Sequence, residues 1–227
     1  MIIPISSVLS KDEVALFRRH LDNANWQDGC LTAGTQALSQ KQNRQLDVDS
    51  KLAQQLSDKV LHALALHPMF ISAALPLKIL PPMFNRYDGG DHYGFHVDNA
   101  IRIVPGTSIR LRTDLSATLF LSEPEEYQGG ELEIEDSYGT HKVKLAAGDL
   151  ILYSSTSLHR VRAIEQGQRT CAFFWLQSMI RSHEQRQVLF DLDQSIQSLT
   201  QLHDHQHPDV VRLSSSYHRL IRQLADT

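Results

Sequence analysis

Asn85-Arg86-Tyr87-Asp88-Gly89-Gly90-Asp91-His92-Tyr93-Gly94-Phe95-His96-Val97-Asp98 reads as a strand, a turn at the paired glycines and a second strand. Side chains of an extended segment alternate between two faces, so His96 and Asp98 point one way and Val97 the other. That parity sets an imidazole beside a carboxylate, which is the beginning of a metal site.

A non-haem iron centre of the two-histidine, one-carboxylate type needs its other histidine from a distant strand. His159 meets that requirement, following the apolar run Leu150-Ile151-Leu152-Tyr153. Arg169 lies ten residues further on and opens the strand Arg169-Thr170-Cys171-Ala172-Phe173-Phe174-Trp175-Leu176-Gln177. Its guanidinium offers a bidentate fork for a carboxylate. His-x-Asp alone is weak evidence, since short spacings of common residues arise by chance. The ordered set Tyr87, His96, Asp98, His159, Arg169, each on or beside a predicted strand, is far more specific.

On these residues the chain resembles the iron- and 2-oxoglutarate-dependent dioxygenases, and within them the bacterial PKHD-type hydroxylases related to prolyl and lysyl hydroxylases. The pattern Asn-Arg-Tyr-x-x-Gly-x-x-Tyr-x-x-His-x-Asp matches at residues 85–98. Leu158-His159-Arg160-Val161, Arg169 and Phe174-Trp175-Leu176-Gln177-Ser178 match the second half. The resemblance implies Fe(2+) on His96, Asp98 and His159, with 2-oxoglutarate as co-substrate meeting Arg169 through its far carboxylate. Oxygen takes the last open position, and succinate and CO2 leave as co-products. Tyr87 is placed to add a phenolic hydrogen bond to that carboxylate, and Tyr93 to lie nearer the metal entrance. Core packing with the hydroxyl at the rim is the other reading of both tyrosines.

By the same resemblance L-ascorbate is an expected activator, and the product is a hydroxylated carbon of an amino-acid-like, peptidyl or siderophore-like substrate, with a link to iron homeostasis. Two competing readings stand beside it: a non-catalytic jelly-roll module that senses iron or binds a ligand, and an oxidative demethylase of nucleic acid. Against the latter, the chain lacks the second arginine a few residues after Arg169 that the nucleic-acid repair branch carries. Acidic residues also outnumber basic ones 26 to 22, a formal charge of -4, which gives no basic surplus to neutralise a phosphate backbone. A small-molecule or peptidyl substrate, and no nucleic acid, is therefore the expected partner.

The length of 227 residues suits one principal domain with helical additions. Two cysteines, Cys30 and Cys171, imply no disulfide framework. The N-terminus lacks a basic start followed by a long apolar run, and no stretch of 18 apolar residues occurs, so no membrane association and a cytoplasmic location are expected.

Ser10 with Glu13 forms a capping box ahead of Val14, Phe17 and Leu21 at helical spacing, predicting a helix over residues 11–23. A polar segment through Gly29 and Gly34 leads to Gln36, Gln40, Gln42 and Gln45, expected to be a solvated connector. Leu52, Leu56, Val60 and Leu64 predict a second helix ending before His67-Pro68. Strands follow at residues 77–80, 83–87 and 93–97. Residues 100–112, with Arg102, Arg110 and Arg112, read as a loop, either a candidate lid or substrate-contact loop or a merely solvated basic segment. Residues 116–121 form a strand, and 131–145 a hairpin with one wet face carrying Glu131, Glu133 and Glu135. Further strands fall at 150–154 and 169–177.

Two helices are predicted after Ser178. Their apolar stripes suit either a homo-oligomer contact or packing within the chain. His203, His205 and His207 alternate in the linker between them and read as a surface loop. The role of His92 stays open between packing and substrate contact. The fold class expected is α+β: a double-stranded β-helix (jelly-roll) core over 78–178, N-terminal helices over 1–77 packed on it, and a C-terminal helical extension over 179–227.

Overall fold

The computed structural model describes residues 2–29, 40–104 and 106–226; Cys30, Gly34 and Gln36, named above, lie outside them. The chain begins with β1 (Ile2–Ile5) and α1 (Lys11–Asp22). The capping box is formed: the Glu13 amide donates to the Ser10 hydroxyl, and the Ser10 amide donates to the Glu13 carboxylate at 2.8 Å, satisfying two helix-start donors. Next come β2 (Trp26–Asp28), β3 (Lys41–Gln42) and β4 (Arg44–Leu46), then α2 (Lys51–Leu66) and α3 (Pro68–Ala74).

The solvated connector expected around the glutamines is corrected by β3 and β4. Lys41 and Gln45 are buried there, and Lys41 Nζ donates to Gln45 Oε1 at 3.1 Å. Backbone pairing to Tyr93 and His92 and to Arg86 and Asn85, with this side-chain bond, satisfies polar groups that composition alone assigns to water.

The strand-rich half contains β5 (Pro76–Ile79), β6 (Met83–Tyr87), β7 (His92–His96), β8 (Ile101–Ile103), β9 (Arg110–Arg112), β10 (Leu115–Phe120), β11 (Tyr127–Gly129), β12 (Leu132–Asp136), β13 (Gly139–Val143), β14 (Leu150–Ser154), β15 (His159–Val161), β16 (Ile164–Gly167) and β17 (Arg169–Ser178). The helices α4 (His183–His203) and α5 (Pro208–Leu224) close the chain. The loop expected over 100–112 is instead a short antiparallel hairpin, β8 against β9.

Every strand pairing among the described residues is antiparallel. The larger sheet runs β1-β14-β10-β17-β6-β4-β2, with β5 also on β17, and the smaller runs β13-β12-β15-β7-β3. The quoted stretch is thus not a hairpin: β6 belongs to the larger sheet and β7 to the smaller. Gly90 turns the chain between them at a φ of 89°, a left-handed conformation that glycine adopts without a Cβ penalty.

Strand alternation divides the larger sheet into two faces. Leu115, Ala117 and Leu119, with Leu150, Leu152, Ala172, Phe174 and Leu176, join Phe17, Leu21, Leu56, Val60 and Leu64 in the core beneath α1 and α2. Tyr87, Phe120, Ile151 and Tyr153 point the other way and meet Leu132, Ile134 and Val161 of the smaller sheet. The site lies in this second layer.

The wet face predicted for the hairpin at 131–145 needs a second correction. Glu133 is only 3% exposed because β12 pairs with β15 as well as β13, putting Arg160 directly opposite. Arg160 Nε lies 2.6 Å from Glu133 Oε2, and Arg162 also approaches it. The C-terminal pair packs on the rest of the chain: Tyr217, Leu220, Ile221 and Leu224 sit against Leu75, Ile180 and Leu189, and Ser72 donates to Asp193 at 2.6 Å.

Candidate active site

Antiparallel pairing of β15 with β7 sets His159 opposite His96, with ring centroids 4.2 Å apart. Asp98, two residues on, brings Oδ2 to 3.7 Å from His159 Nε2. Candidate ligand atoms of all three lie within 4.8 Å of one another, and no other His, Cys, Asp or Glu group among the described residues has this geometry.

Both imidazoles are oriented by backbone carbonyls. His96 Nδ1 is 2.8 Å from Gly94 O and His159 Nδ1 is 3.0 Å from Ser157 O. A carbonyl only accepts, so Nδ1 carries the hydrogen and each Nε2 keeps its lone pair for a metal. Burial, reinforced by the neighbouring His159, pushes the His96 imidazole down to about 4, against the opposing pull of the Gly94 carbonyl and Asp98. Near neutral pH His96 is therefore in the uncharged form that binds metal. Ser116 Oγ donates to Asp98 Oδ2 at 2.6 Å and lies 2.7 Å from Ser155 Oγ.

At the closed end, β17 starts on Arg169, and Arg169, Cys171, Phe173 and Trp175 line the cavity. Arg169 is 1% exposed. Its Nη1 lies 2.9 Å from Cys171 Sγ, and its Cζ lies 5.4 and 5.3 Å from the Tyr87 and Phe120 ring centroids. Nε and Nη2 have no hydrogen-bond partner among the described residues. A buried cation with idle donors is costly, and a carboxylate is the ligand whose two oxygens answer that fork. The neighbouring Tyr127 is pushed up to about 12 by burial, with Arg169 opposing the rise.

Tyr87 is buried, and its hydroxyl accepts from Asn85 Nδ2 at 3.4 Å. Burial raises its pKa far above the ordinary phenol value, so the hydroxyl keeps its proton. Tyr93 stacks on His96 at 3.7 Å between centroids. His92 is not among the cavity-lining residues; its Nδ1 lies 3.2 Å from Gly90 O. His203 and His207 approach at the exposed turn between α4 and α5, without forming a metal-type group.

Sequence reading missed Lys41, Asn85, Ser116 and the site role of Cys171, all of which line the cavity, as does Arg102 from the segment expected to be a lid or substrate-contact loop. Cys171 Sγ donates to Asn85 Oδ1 at 2.7 Å, so it belongs to a polar chain rather than to an apolar core. Extending strand parity from Arg169 to 171, 173 and 175 was enough to find it. Nothing local in the sequence points to Lys41.

Residues 82–177 match the 2OG-Fe(II) oxygenase superfamily, and 183–226 match the PKHD-type hydroxylase C-terminal domain. A PKHD-type hydroxylase of Acinetobacter baumannii (strain AYE) is 53% identical over 226 residues, covering 100% of both chains. One from Saccharophagus degradans is 55% identical over 227 residues, again covering 100% of both. This chain belongs to the PKHD-type hydroxylase family. As a family member it is a 2-oxoglutarate-dependent hydroxylase that uses Fe(2+), 2-oxoglutarate and O2. The non-catalytic reading is thereby overturned.

Solved structures support the fold. A Pseudomonas putida prolyl-4-hydroxylase superposes with a TM-score of 0.51 at 20% identity, over 78% of this chain and 92% of that one. A non-heme alpha ketoglutarate dependent carbocyclase from nogalamycin biosynthesis gives 0.56 at 15% identity, over 79% and 80%. Among the described residues no helix is long and apolar enough to cross a membrane.

Proposed function

We propose that His96, Asp98 and His159 hold the iron, that Arg169 receives the far carboxylate of 2-oxoglutarate, and that the enzyme hydroxylates an unactivated carbon of an amino-acid-like, peptidyl or siderophore-like substrate inside a jelly-roll barrel. One observation carries this reading: one nitrogen from each imidazole and a carboxylate oxygen converge within 4.8 Å in the same cavity as a buried guanidinium with two donors unused among the described residues.

Bound iron(II) supplies the oxygen-activating redox chemistry that couples loss of CO2 from 2-oxoglutarate to hydroxylation of a carbon–hydrogen bond. The chain's own residues position and exclude. The Gly94 and Ser157 carbonyls hold both imidazoles in one tautomer. Ser116 fixes one oxygen of Asp98. Arg169, bonded to Cys171 and flanked by the Tyr87 and Phe120 rings, presents a pre-ordered fork. Leu132, Tyr153 and Val161 wall the cavity and keep it poor in water, which strengthens each of these charge contacts. Tyr93, stacked on His96, shields one face of that ring. Ascorbate as an activator and a role in iron homeostasis follow from the family resemblance.

The test is succinate release from 2-oxoglutarate with iron(II) and oxygen, run beside a search for a product heavier by one oxygen. Asp98→Ala should fall to background. Arg169→Ala should raise the KM for 2-oxoglutarate by about a hundredfold, the loss expected for a buried bidentate pair. Wild-type turnover in both variants would refute the assignment.

A further inference from the structure

The cavity carries more positive charge than its chemistry consumes. Lys41, Arg102 and Arg169 line it against the single carboxylate of Asp98, and residues 30–39 add no charged side chain. Iron(II) and the 2-oxoglutarate dianion cancel each other. Two formal positive charges are left over, and one of them, Arg102, has no carboxylate or hydrogen-bond acceptor of its own among the described residues, with Nε buried and unpartnered. Desolvation opposes its charge while the field of Asp98 supports it. Once a metal draws on that carboxylate, the support weakens.

Position separates Arg102 from the co-substrate. Strand β17 faces the cavity with Arg169 at one end and Trp175 six residues on, roughly 20 Å along an extended chain, a span left to a second ligand. Trp175 pairs with Ser116, the residue that holds Asp98. Arg102 Cζ lies 3.5 Å over the Trp175 ring, and Phe173 meets Trp175 edge-on at 5.5 Å. Alternation along β8 turns Arg102 inward and leaves Ile101 and Ile103 exposed. The result is a cation laid on an aromatic wall, six residues along β17 from Arg169.

Building on the oxygenase reading above, we propose that Arg102 on Trp175 is the substrate anchor, and that the substrate is a carboxylate-bearing organic acid with an apolar or aromatic body lying along Phe173 and Trp175. The guanidinium plane answers a carboxylate with parallel donors, and stacking on Trp175 keeps the fork in place before the substrate arrives.

Trp175 is one of two tryptophans, so in Trp26→Phe enzyme its fluorescence reports ligands reaching Arg102. With nickel(II) and saturating 2-oxoglutarate bound, phenylacetate should give a saturable change with an apparent Kd at least about tenfold lower than phenylacetamide, the selectivity of one charge-assisted hydrogen bond. Arg102→Gln should abolish that preference. Equal affinity for acid and amide, no saturable response, or a preference that survives Arg102→Gln would overturn the proposal; the acid–amide comparison needs no Arg102 variant to fold. Succinate release by the iron-loaded enzyme is scored separately. If it is absent while the acid preference persists, the oxygenase site fails and the Arg102 site stands.

Discussion

At the residue scale the most informative contact is Ser116 to Asp98. A carboxylate beside two imidazoles can rotate among several partners, and the 2.6 Å bond from Ser116 removes that freedom. Ser116 is itself buried and backed by Ser155, so the restraint comes from the larger sheet while Asp98 follows the smaller. Ser116→Ala should leave the fold intact and weaken iron affinity roughly tenfold or more, the usual effect of losing a group that orients a ligand; competition against a chelator of known affinity checks it. Unchanged affinity would mean that the backbone alone aims Asp98. The two ends of this contact differ in legibility. Strand parity makes the side-by-side placement of residues 96 and 98 readable from sequence, and the ten-residue step from His159 makes Arg169 stand out. Ser116 is one serine among many, and only its hydrogen bond across to Asp98 in the folded chain shows which ligand it serves. Arg102 was half legible: its segment reads as a candidate lid or substrate-contact loop, but nothing sets it apart from Arg110 and Arg112 until the hairpin turns it inward.

At the element scale, β17 is the strand on which the site is strung, and its start is tightly specified. Gly167 precedes Arg169 by two residues at a φ of 80°, and a Cβ there would sit 2.1 Å from the Glu126 carbonyl oxygen. Gly167→Ala should therefore cost about 2 kcal/mol or more, from left-handed strain together with a backbone collision, measurable as a lower urea midpoint at unchanged slope. If the midpoint holds, β11 has yielded and the clamp around Arg169 is softer than its geometry implies. Elements with a clean apolar period, such as α1, α2, β6 and β17, are readable from sequence. The strands that were not readable depend on where they sit in the sheets. Pro4 in β1 is tolerated because β1 lies at the edge of its sheet, and the polar run at 41–46 is held by pairing to β7 and β6.

At the scale of the whole molecule, the C-terminal helices bear on the site although they lie outside it. The end of β17 is tied down at several points: Ser178 N donates to Asp114 Oδ2 at 2.9 Å, Arg112 forks onto the same carboxylate from β9, and Met179 O accepts from Asp226 N beyond α5 at 2.8 Å. The hairpin carrying Arg102 and the strand carrying Arg169 and Trp175 thus share an anchor with the tail. Removing residues 204–227 would strip Tyr217, Leu220, Ile221 and Leu224 from Leu75, Ile180 and Leu189. These side chains are only partly buried, so about 1 kcal/mol each is a fair allowance, giving a loss of about 4 kcal/mol. That is a large share of a domain's usual net stability. Urea unfolding followed by circular dichroism and by Trp175 fluorescence in Trp26→Phe enzyme should then show one coincident transition at a lower midpoint, because helix contacts and site strand are lost together. A truncated chain whose Trp175 transition stays at the full-length midpoint would instead mark the tail as an appendage, and the tie through Met179 and Ser178 would carry no energy to the site.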